Sequence, residues 1–134
     1  MLPPVDSDEL SGLPDTMTVT ARVVDGVVVL AVVGRMTVET RESTLTQLVK
    51  SHLADSFRSF VVNLSQVPYC DTRGLAELVL SFTMVERAGG ALKLAHLQAR
   101  VATLLETTGL LGVFEVFDTE REALASFRSS SGSA

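Results

Sequence analysis

Four consecutive residues with chemically useful side chains, Cys70, Asp71, Thr72 and Arg73, stand between two apolar stretches of the chain. A thiol can act as a nucleophile, a carboxylate as a base or a helix cap, a hydroxyl as a phosphate acceptor and a guanidinium as an anion ligand. No histidine stands near Cys70 in sequence, and a lone cysteine is more often a small buried residue. A small enzyme that uses Cys70 or Asp71 is therefore one alternative, in which iodoacetamide would label the catalytic thiol rapidly near neutral pH.

The remaining candidates for chemistry are weaker. His52 and His96 have no companions at the spacing that metal ligands require. Gly89-Gly90 lies in no phosphate-binding glycine motif, and the acidic residues are scattered without an evident acid/base pair. The sequence therefore predicts no metal site and no cofactor.

The residues around the cluster predict a strand that leads directly into a helix. Ser59–Leu64 is apolar and strand-like, Gln66–Asp71 contains a proline, and Thr72–Ala88 repeats apolar residues at helical spacing. Asp71 is placed to cap the first N–H groups of that helix. Arg73 puts a cation in the first helical turn, where it opposes the helix dipole. Local rules are often broken at functional sites, although an exposed arginine lying over a neighbour explains the residue equally well.

The other elements alternate strands and helices. Asp25-Gly26 predicts a hairpin turn between strands Met17–Val24 and Val27–Val33. The further predicted elements are helix Thr40–Leu53, strand Ala91–Ala95, helix Gln98–Thr107, strand Val113–Phe117 and a last helix opened by Thr119 and Glu122. The order β-β-α-β-α-β-α-β-α predicts an α/β fold with a mixed four- to five-stranded sheet and about four helices. Sites in such sheets lie at the loops that leave the strands, here Gly34–Glu39 and Gln66–Gly74.

Length and composition limit the classes of function. The 134 residues fit one domain, which we place at 17–127, between a flexible N-terminal segment, 1–16, and a flexible C-terminal tail, 128–134. No apolar run approaches the ~20 residues that span a bilayer, so no membrane insertion is predicted. The net charge of −5 argues against binding to nucleic acid. One cysteine and no export signal indicate the cytoplasm, and the oligomeric state stays open.

The stretch NLSQVPYCDTRGLAELV resembles the signature of STAS domains, the anti-sigma-factor-antagonist family, whose loop typically reads Asp-Ser-Ser-Gly-Leu after a short strand. Gly34-Arg35-Met36 is similar to the family's Gly-x-Leu-Asp after the second strand. Gly89-Gly90 precedes an apolar strand, and Leu105–Phe114 is similar to the later pattern Leu-x-x-Thr-Gly-Leu-x-x-x-Phe. The resemblance covers roughly residues 17–127 and rests on four weak motifs in the right order.

The resemblance implies a bacterial regulatory module that binds a protein partner, commonly an anti-sigma factor with serine-kinase activity. It implies a STAS fold and a binding site centred on five residues, Asp71, Thr72, Arg73, Gly74 and Leu75, with Gly34, Arg35 and Thr37 at its edge. In the family, phosphorylation of the serine immediately before the glycine releases the partner, and a phosphatase resets the cycle.

This chain departs from that pattern at two positions. Arg73 stands where the phosphoacceptor is expected, and Thr37 replaces the aspartate of the second-strand loop. The switch has therefore either moved to Thr72 or is absent, since the other nearby hydroxyls are Ser65 and Tyr69. Adjacent residues on a helix point about 100° apart, so Arg73 is poorly placed to neutralise a phosphate on Thr72, which favours a non-switching protein.

Two further alternatives stay open. The chain could be a non-switching STAS subunit of a larger assembly, such as a stressosome-like scaffold or an ABC lipid-transport complex.

On the predicted helix after the loop, Ala76, Leu80 and Met84 form a second apolar stripe. That stripe either packs against a neighbouring helix or forms a patch to which the partner docks.

Overall fold

A computed structural model of the chain describes residues 18–34 and 44–132, with the backbone alone at residue 44 and at 129–132. Arg35 and Thr37, both predicted at the edge of the site, lie outside the described residues. The N-terminal segment 1–16 and the predicted start of a helix at Thr40 lie outside them as well.

A five-stranded mixed sheet forms the centre of the domain. Its strands follow one another in space in the order β1-β2-β3-β4-β5. β1 and β2 pair antiparallel, and every later neighbour is parallel. The strands are β1 (Thr18–Val24), β2 (Val27–Val33), β3 (Ser59–Gln66), β4 (Ala91–Ala95) and β5 (Glu115–Phe117).

The hairpin between β1 and β2 turns at Asp25 and Gly26, as the sequence predicts. Both residues have positive φ, 52° and 80°, which is the conformation of a two-residue type I′ turn. The tight turn sets the register, with Val24 opposite Val27 and Thr18 opposite Val33. The pairing continues along both strands without a bulge.

Helices cover both faces of the sheet. They are α1 (Thr44–Ala54), α2 (Thr72–Arg87), α3 (Ala99–Thr107) and α4 (Glu120–Gly132). The first three contribute side chains to one large apolar core, which includes Leu30, Phe60 and Leu94 from the strands. On the other face, α4 packs a smaller cluster against Val29 and Val61. Burial on both sides explains why β2 is apolar at every position and why the centre of β3, Phe60–Val62, is apolar as well.

The C-terminal part of the chain differs from the prediction at one strand. β5 begins at Glu115 and not at Val113, because residues 110–114 form a turn in which the N–H of Val113 donates to the carbonyl of Leu110. Val113 is consequently half exposed, while Phe114 is buried.

The last helix begins as its capping motif predicts and runs further than expected. The N–H of Glu122 donates to the Thr119 hydroxyl at 3.1 Å. The helix continues to Gly132 and so overlaps the segment 128–134 for which we predict a flexible tail; the flexibility itself stays a prediction.

The glycine pair after α2 serves two separate purposes. Gly89 has a φ of 87°, which ends the helix in a left-handed conformation. Gly90 lies against the backbone just before β3, where a Cβ would stand 2.1 Å from the carbonyl oxygen of Arg58. The same oxygen accepts the Ala91 N–H at 2.9 Å and so fixes the start of β4.

Candidate functional site

The loop between β3 and α2 is held by backbone hydrogen bonds at its beginning. The N–H of Val67 donates to the carbonyl of Leu64, and Val67 itself is buried. The carbonyl of Gln66 accepts the N–H of Gly34 at 3.1 Å, so the end of β2 lies beside the loop. Gly34 thus lies beside the beginning of the β3–α2 loop, and its role at the edge of the site stays a prediction.

Asp71 caps α2. Its Oδ1 accepts the backbone N–H of Arg73 at 3.0 Å and that of Gly74 at 2.9 Å. Its backbone is extended, with φ −99° and ψ −176°, which is the usual geometry of a capping residue. Its own carbonyl accepts the N–H of Leu75 at 2.9 Å and so begins the helical ladder.

The first turn of α2 separates buried from exposed side chains. Leu75 is 5% exposed and belongs to the main core, and Gly74 is buried beside it. Thr72 and Arg73 are exposed. The capped turn therefore fixes a hydroxyl and a guanidinium at the surface while Leu75 anchors them from below.

Cys70 belongs to the core and is only 6% exposed. Burial, with a smaller contribution from the negative charge of Asp71, raises the pKa of the thiol to about 12. The sulfur also lies 3.4 Å from the carbonyl oxygen of Asp71, to which the S–H can donate. Because the thiolate is the reactive form, a thiol held neutral in this way is a poor nucleophile. The geometry therefore disfavours an enzyme built on Cys70.

A shallow apolar groove of about 420 Å³ adjoins the exposed turn. Leu80 on its rim is half exposed, and Leu110 reaches it from the turn after α3. The groove is lined by Thr72, Leu75, Ala76, Val79, Leu80, Thr83 and Leu110.

The predicted apolar stripe on α2 lies partly at the surface and partly in the core. Ala76 and Leu80 are exposed at the groove, whereas Met84 packs against the core. The apolar spacing along α2 could not predict that Leu110 lines the groove, because Leu110 lies some thirty residues further along the chain.

Glu77 lies on α2 near the site and was not singled out by the sequence. Its Oε1 is buried and has no hydrogen-bond partner among the described residues. Burial raises the pKa of this carboxyl above its ordinary value of 4.5. In the sequence Glu77 looks like any solvated glutamate, so the local pattern carries no signal for it.

The two histidines contribute to structure. His52 Nδ1 lies 2.8 Å from the carbonyl oxygen of Leu48, one turn earlier in α1. His96 Nε2 accepts the N–H of Glu120 at 3.1 Å at the start of α4. Within 18–34 and 44–132, no group of three or more His, Cys, Asp or Glu residues could hold a metal ion. The same residues include no helix long and apolar enough to cross a membrane.

The model of the STAS domain family matches residues 18–123, which is most of the chain. The chain belongs to the STAS domain family. The signature stretch that precedes and includes α2 was therefore identified correctly from the sequence.

Several proteins similar to this chain are named as anti-sigma factor antagonists. The anti-sigma-B factor antagonist of Bacillus subtilis (strain 168) is 36% identical over 64 residues, which are 48% of this chain and 59% of that protein. The chain thus spans less than two thirds of that relative's length. A crystal structure of an anti-sigma factor antagonist from Mycobacterium paratuberculosis is 27% identical with a TM-score of 0.75, covering 86% of this chain and 97% of that one.

A more distant neighbour shows the same fold. The anti-sigma factor antagonist SpoIIAA in its unphosphorylated form is 18% identical with a TM-score of 0.71, covering 84% of this chain and 97% of that one. A Bacillus SpoIIAA structure in the phosphorylated form is 16% identical with a TM-score of 0.65, covering 82% and 99%. The predicted fold, a mixed sheet with about four helices, is confirmed by the five strands and four helices that residues 18–34 and 44–132 form.

Proposed function

We propose that this STAS protein acts as an anti-sigma factor antagonist in the cytoplasm. It binds a protein partner, an anti-sigma factor or serine kinase, through the turn Asp71–Leu75 and the groove on α2. The observation that carries the proposal is that this apolar groove begins at the exposed first turn of α2, where Thr72 lines it and the exposed Arg73 is the next residue. The naming of its relatives as anti-sigma factor antagonists supports the same function.

The site has the physical features of a protein interface. Interfaces combine an apolar centre with a polar rim, and arginine is enriched among their energetically important residues. Here Leu80 is an exposed apolar anchor, and Arg73 stands at the rim as a cation for an acidic group of the partner. The Asp71 cap and the buried Leu75 hold the turn in place before binding, which lowers the entropy lost on association.

The docking site is tested by the affinity for the purified anti-sigma factors of the source organism, measured by isothermal titration calorimetry. Leu80→Ala should weaken binding about fivefold or more, because the apolar surface of Leu80 is removed from water on binding. Arg73→Ala should weaken binding by about the same factor, because an acidic group of the partner loses its cation. Arg87→Ala and Val113→Ala serve as matched controls, because they remove an exposed arginine and a half-exposed apolar side chain that do not line the groove. If no anti-sigma factor binds, or if the site variants bind like the controls, the proposal is wrong.

We further propose that binding is constitutive. The acceptor position of the family pattern is occupied by Arg73, which cannot be phosphorylated. Thr72, the nearest hydroxyl in the turn, follows Asp71, whose Oδ1 already accepts two backbone N–H groups. A phosphate would add about −1.5 to −2 charge next to this carboxylate, and the repulsion disfavours the modified turn.

The switch is tested by incubating the protein with ATP and its cognate kinase and mapping the modified residues by mass spectrometry. No phosphate at stoichiometric level is expected. Stoichiometric phosphate on Thr72 would refute the constitutive version and show that the switch has moved by one residue. Phosphate on Ser65 or Tyr69 would contradict both versions.

A further inference from the structure

The strand β1 forms one edge of the sheet, and no other strand of residues 18–34 and 44–132 pairs with its outer side. Five of its seven residues are exposed: Thr18, Thr20, Ala21, Arg22 and Val23. The opposite edge, β5, is only three residues long. A short edge offers little for another strand to pair with, whereas a seven-residue edge is a template for pairing.

The register of the hairpin determines which backbone groups of β1 are free. In a two-residue hairpin the residues flanking the turn, here Val24 and Val27, form a hydrogen-bonded pair, and such pairs alternate along the strands. The N–H and C=O groups of Val19, Ala21 and Val23 therefore point away from β2. No backbone hydrogen bond outside the hairpin involves these three residues in the described part of the chain.

Natural edge strands are protected by lysine, proline, bulges or inward charges. β1 contains neither lysine nor proline, and its pairing with β2 has no bulge. Its one charged residue, Arg22, forms an ion pair with Glu120 at the start of α4. Among the described residues, Arg22 is therefore the one protective feature of this edge, and its charge is partly neutralised by Glu120.

We propose that β1 pairs antiparallel with β1 of a second copy of this chain, about a two-fold axis at Ala21. Ala21 then faces Ala21 of the second copy, and Val19 faces Val23 in both directions. Each of these pairs exchanges two hydrogen bonds through groups that are otherwise free. The two five-stranded sheets become one continuous sheet.

The side chains fit this two-fold arrangement. Thr20 of one copy faces Arg22 of the other, so the only charged residue of the strand never stands opposite itself. The strand is thus complementary to its own copy, as a symmetric dimer requires. The chain's own N-terminal residues 1–16 are a poorer partner, because their three prolines lack the N–H groups that a paired strand needs.

Dimerisation leaves the proposed docking site free. Helix α1 packs against both β1 and α2, and α2 packs against β4, so α1 separates the site from the β1 edge. Each dimer would therefore present two copies of the Asp71–Leu75 turn.

The mass of the full chain in solution, followed by sedimentation velocity over a wide range of concentration, tests the dimer. The wild-type chain should associate to twice its monomer mass. Ala21→Lys places two ammonium groups directly opposite each other at an exposed position and should raise the dimer dissociation constant at least about tenfold. Ala21→Thr is the matched control and should keep the dimer. A wild-type chain that stays monomeric, or a dimer that Ala21→Lys does not weaken, would overturn the proposal.

Cysteine crosslinking gives a second readout that does not depend on how well the lysine variant folds. Across the two-fold axis the Cα atoms of residue 21 would lie about 5.5 Å apart, within the range of about 4.4–6.8 Å that a disulfide spans. Residue 20 and its copy would be offset by two residues, about 6.8 Å along the strand, which puts them out of reach. Ala21→Cys should therefore form disulfide-linked dimers under mild oxidation, whereas Thr20→Cys should not. Equal crosslinking of the two variants would show that the edge does not pair in this register.

Discussion

Removing the cap of α2 tests whether Asp71 organises the site in the way that its hydrogen bonds indicate. In Asp71→Ala, the N–H groups of Arg73 and Gly74 both lose their acceptor. Loss of an N-cap costs about 0.5–2 kcal/mol. Water can reach the exposed Arg73, but Gly74 is buried, and an unsatisfied buried donor costs about 1–3 kcal/mol. We therefore expect the free energy of unfolding to fall by about 2 kcal/mol.

Urea denaturation followed by circular dichroism measures this loss. With a slope of about 2 kcal/mol per molar urea, the midpoint should fall by about 1 M at an unchanged slope. Asp71→Asn is the control, since an asparagine caps nearly as well and only the charge near the helix dipole is lost, so it should cost less than about 1 kcal/mol. If Asp71→Ala unfolds within about 0.5 kcal/mol of wild type, the cap is not what holds the turn.

Five other residues give further predictions. Leu75→Ala should lower the free energy of unfolding by about 2–5 kcal/mol in urea denaturation, because the side chain is buried in the core. Gly90→Ala should cost about 3 kcal/mol through its clash with the backbone, and Gly89→Ala only about 1–2 kcal/mol through its positive φ; equal losses would contradict this contrast. Iodoacetamide should label Cys70 slowly near neutral pH until the protein unfolds, and fast labelling of the native protein would show that its pKa is not raised. Glu77→Gln should raise the melting temperature at neutral pH. Because burial raises the pKa of the Glu77 carboxyl, the neutral carboxyl contributes its full stability at pH values below the ordinary pKa of 4.5, and this stability is lost as pH rises through the pKa of the folded protein. The difference in melting temperature between Glu77→Gln and wild type should therefore vanish in acid.

The parts of the fold that the sequence predicts are those controlled by local chemistry. Asp25-Gly26 determines its own turn, and Asp71 caps the helix that begins next to it. The start of β5 was misplaced, because the apolar pair Val113–Phe114 has the pattern of a strand, whereas hydrogen bonds from its N–H groups to the carbonyl of Leu110 hold it in a turn. Whether such an apolar pair forms a strand or a turn depends on tertiary packing.

The same distinction applies to the site. The exposed turn could be predicted because its cap and its anchor, Leu75, lie within five residues of each other. The groove could not, because Val79 occupies the core-facing stripe of α2 by its spacing and Leu110 comes from a distant turn. The burial of Glu77 likewise depends on neighbours that no local pattern specifies.

A site without a phosphorylation switch changes how partner binding would be controlled. In the proposed constitutive protein, the charge of the turn would be constant, and occupancy would depend on how much of each protein is present. Pairing through β1 adds a second variable, since a dimer presents two turns at once. A partner with two binding surfaces would then bind the second turn at a high effective concentration, and its apparent affinity would rise with dimerisation. A partner with one surface would bind monomer and dimer alike, so comparing wild type with Ala21→Lys for each kind of partner separates the contribution of assembly from that of the site.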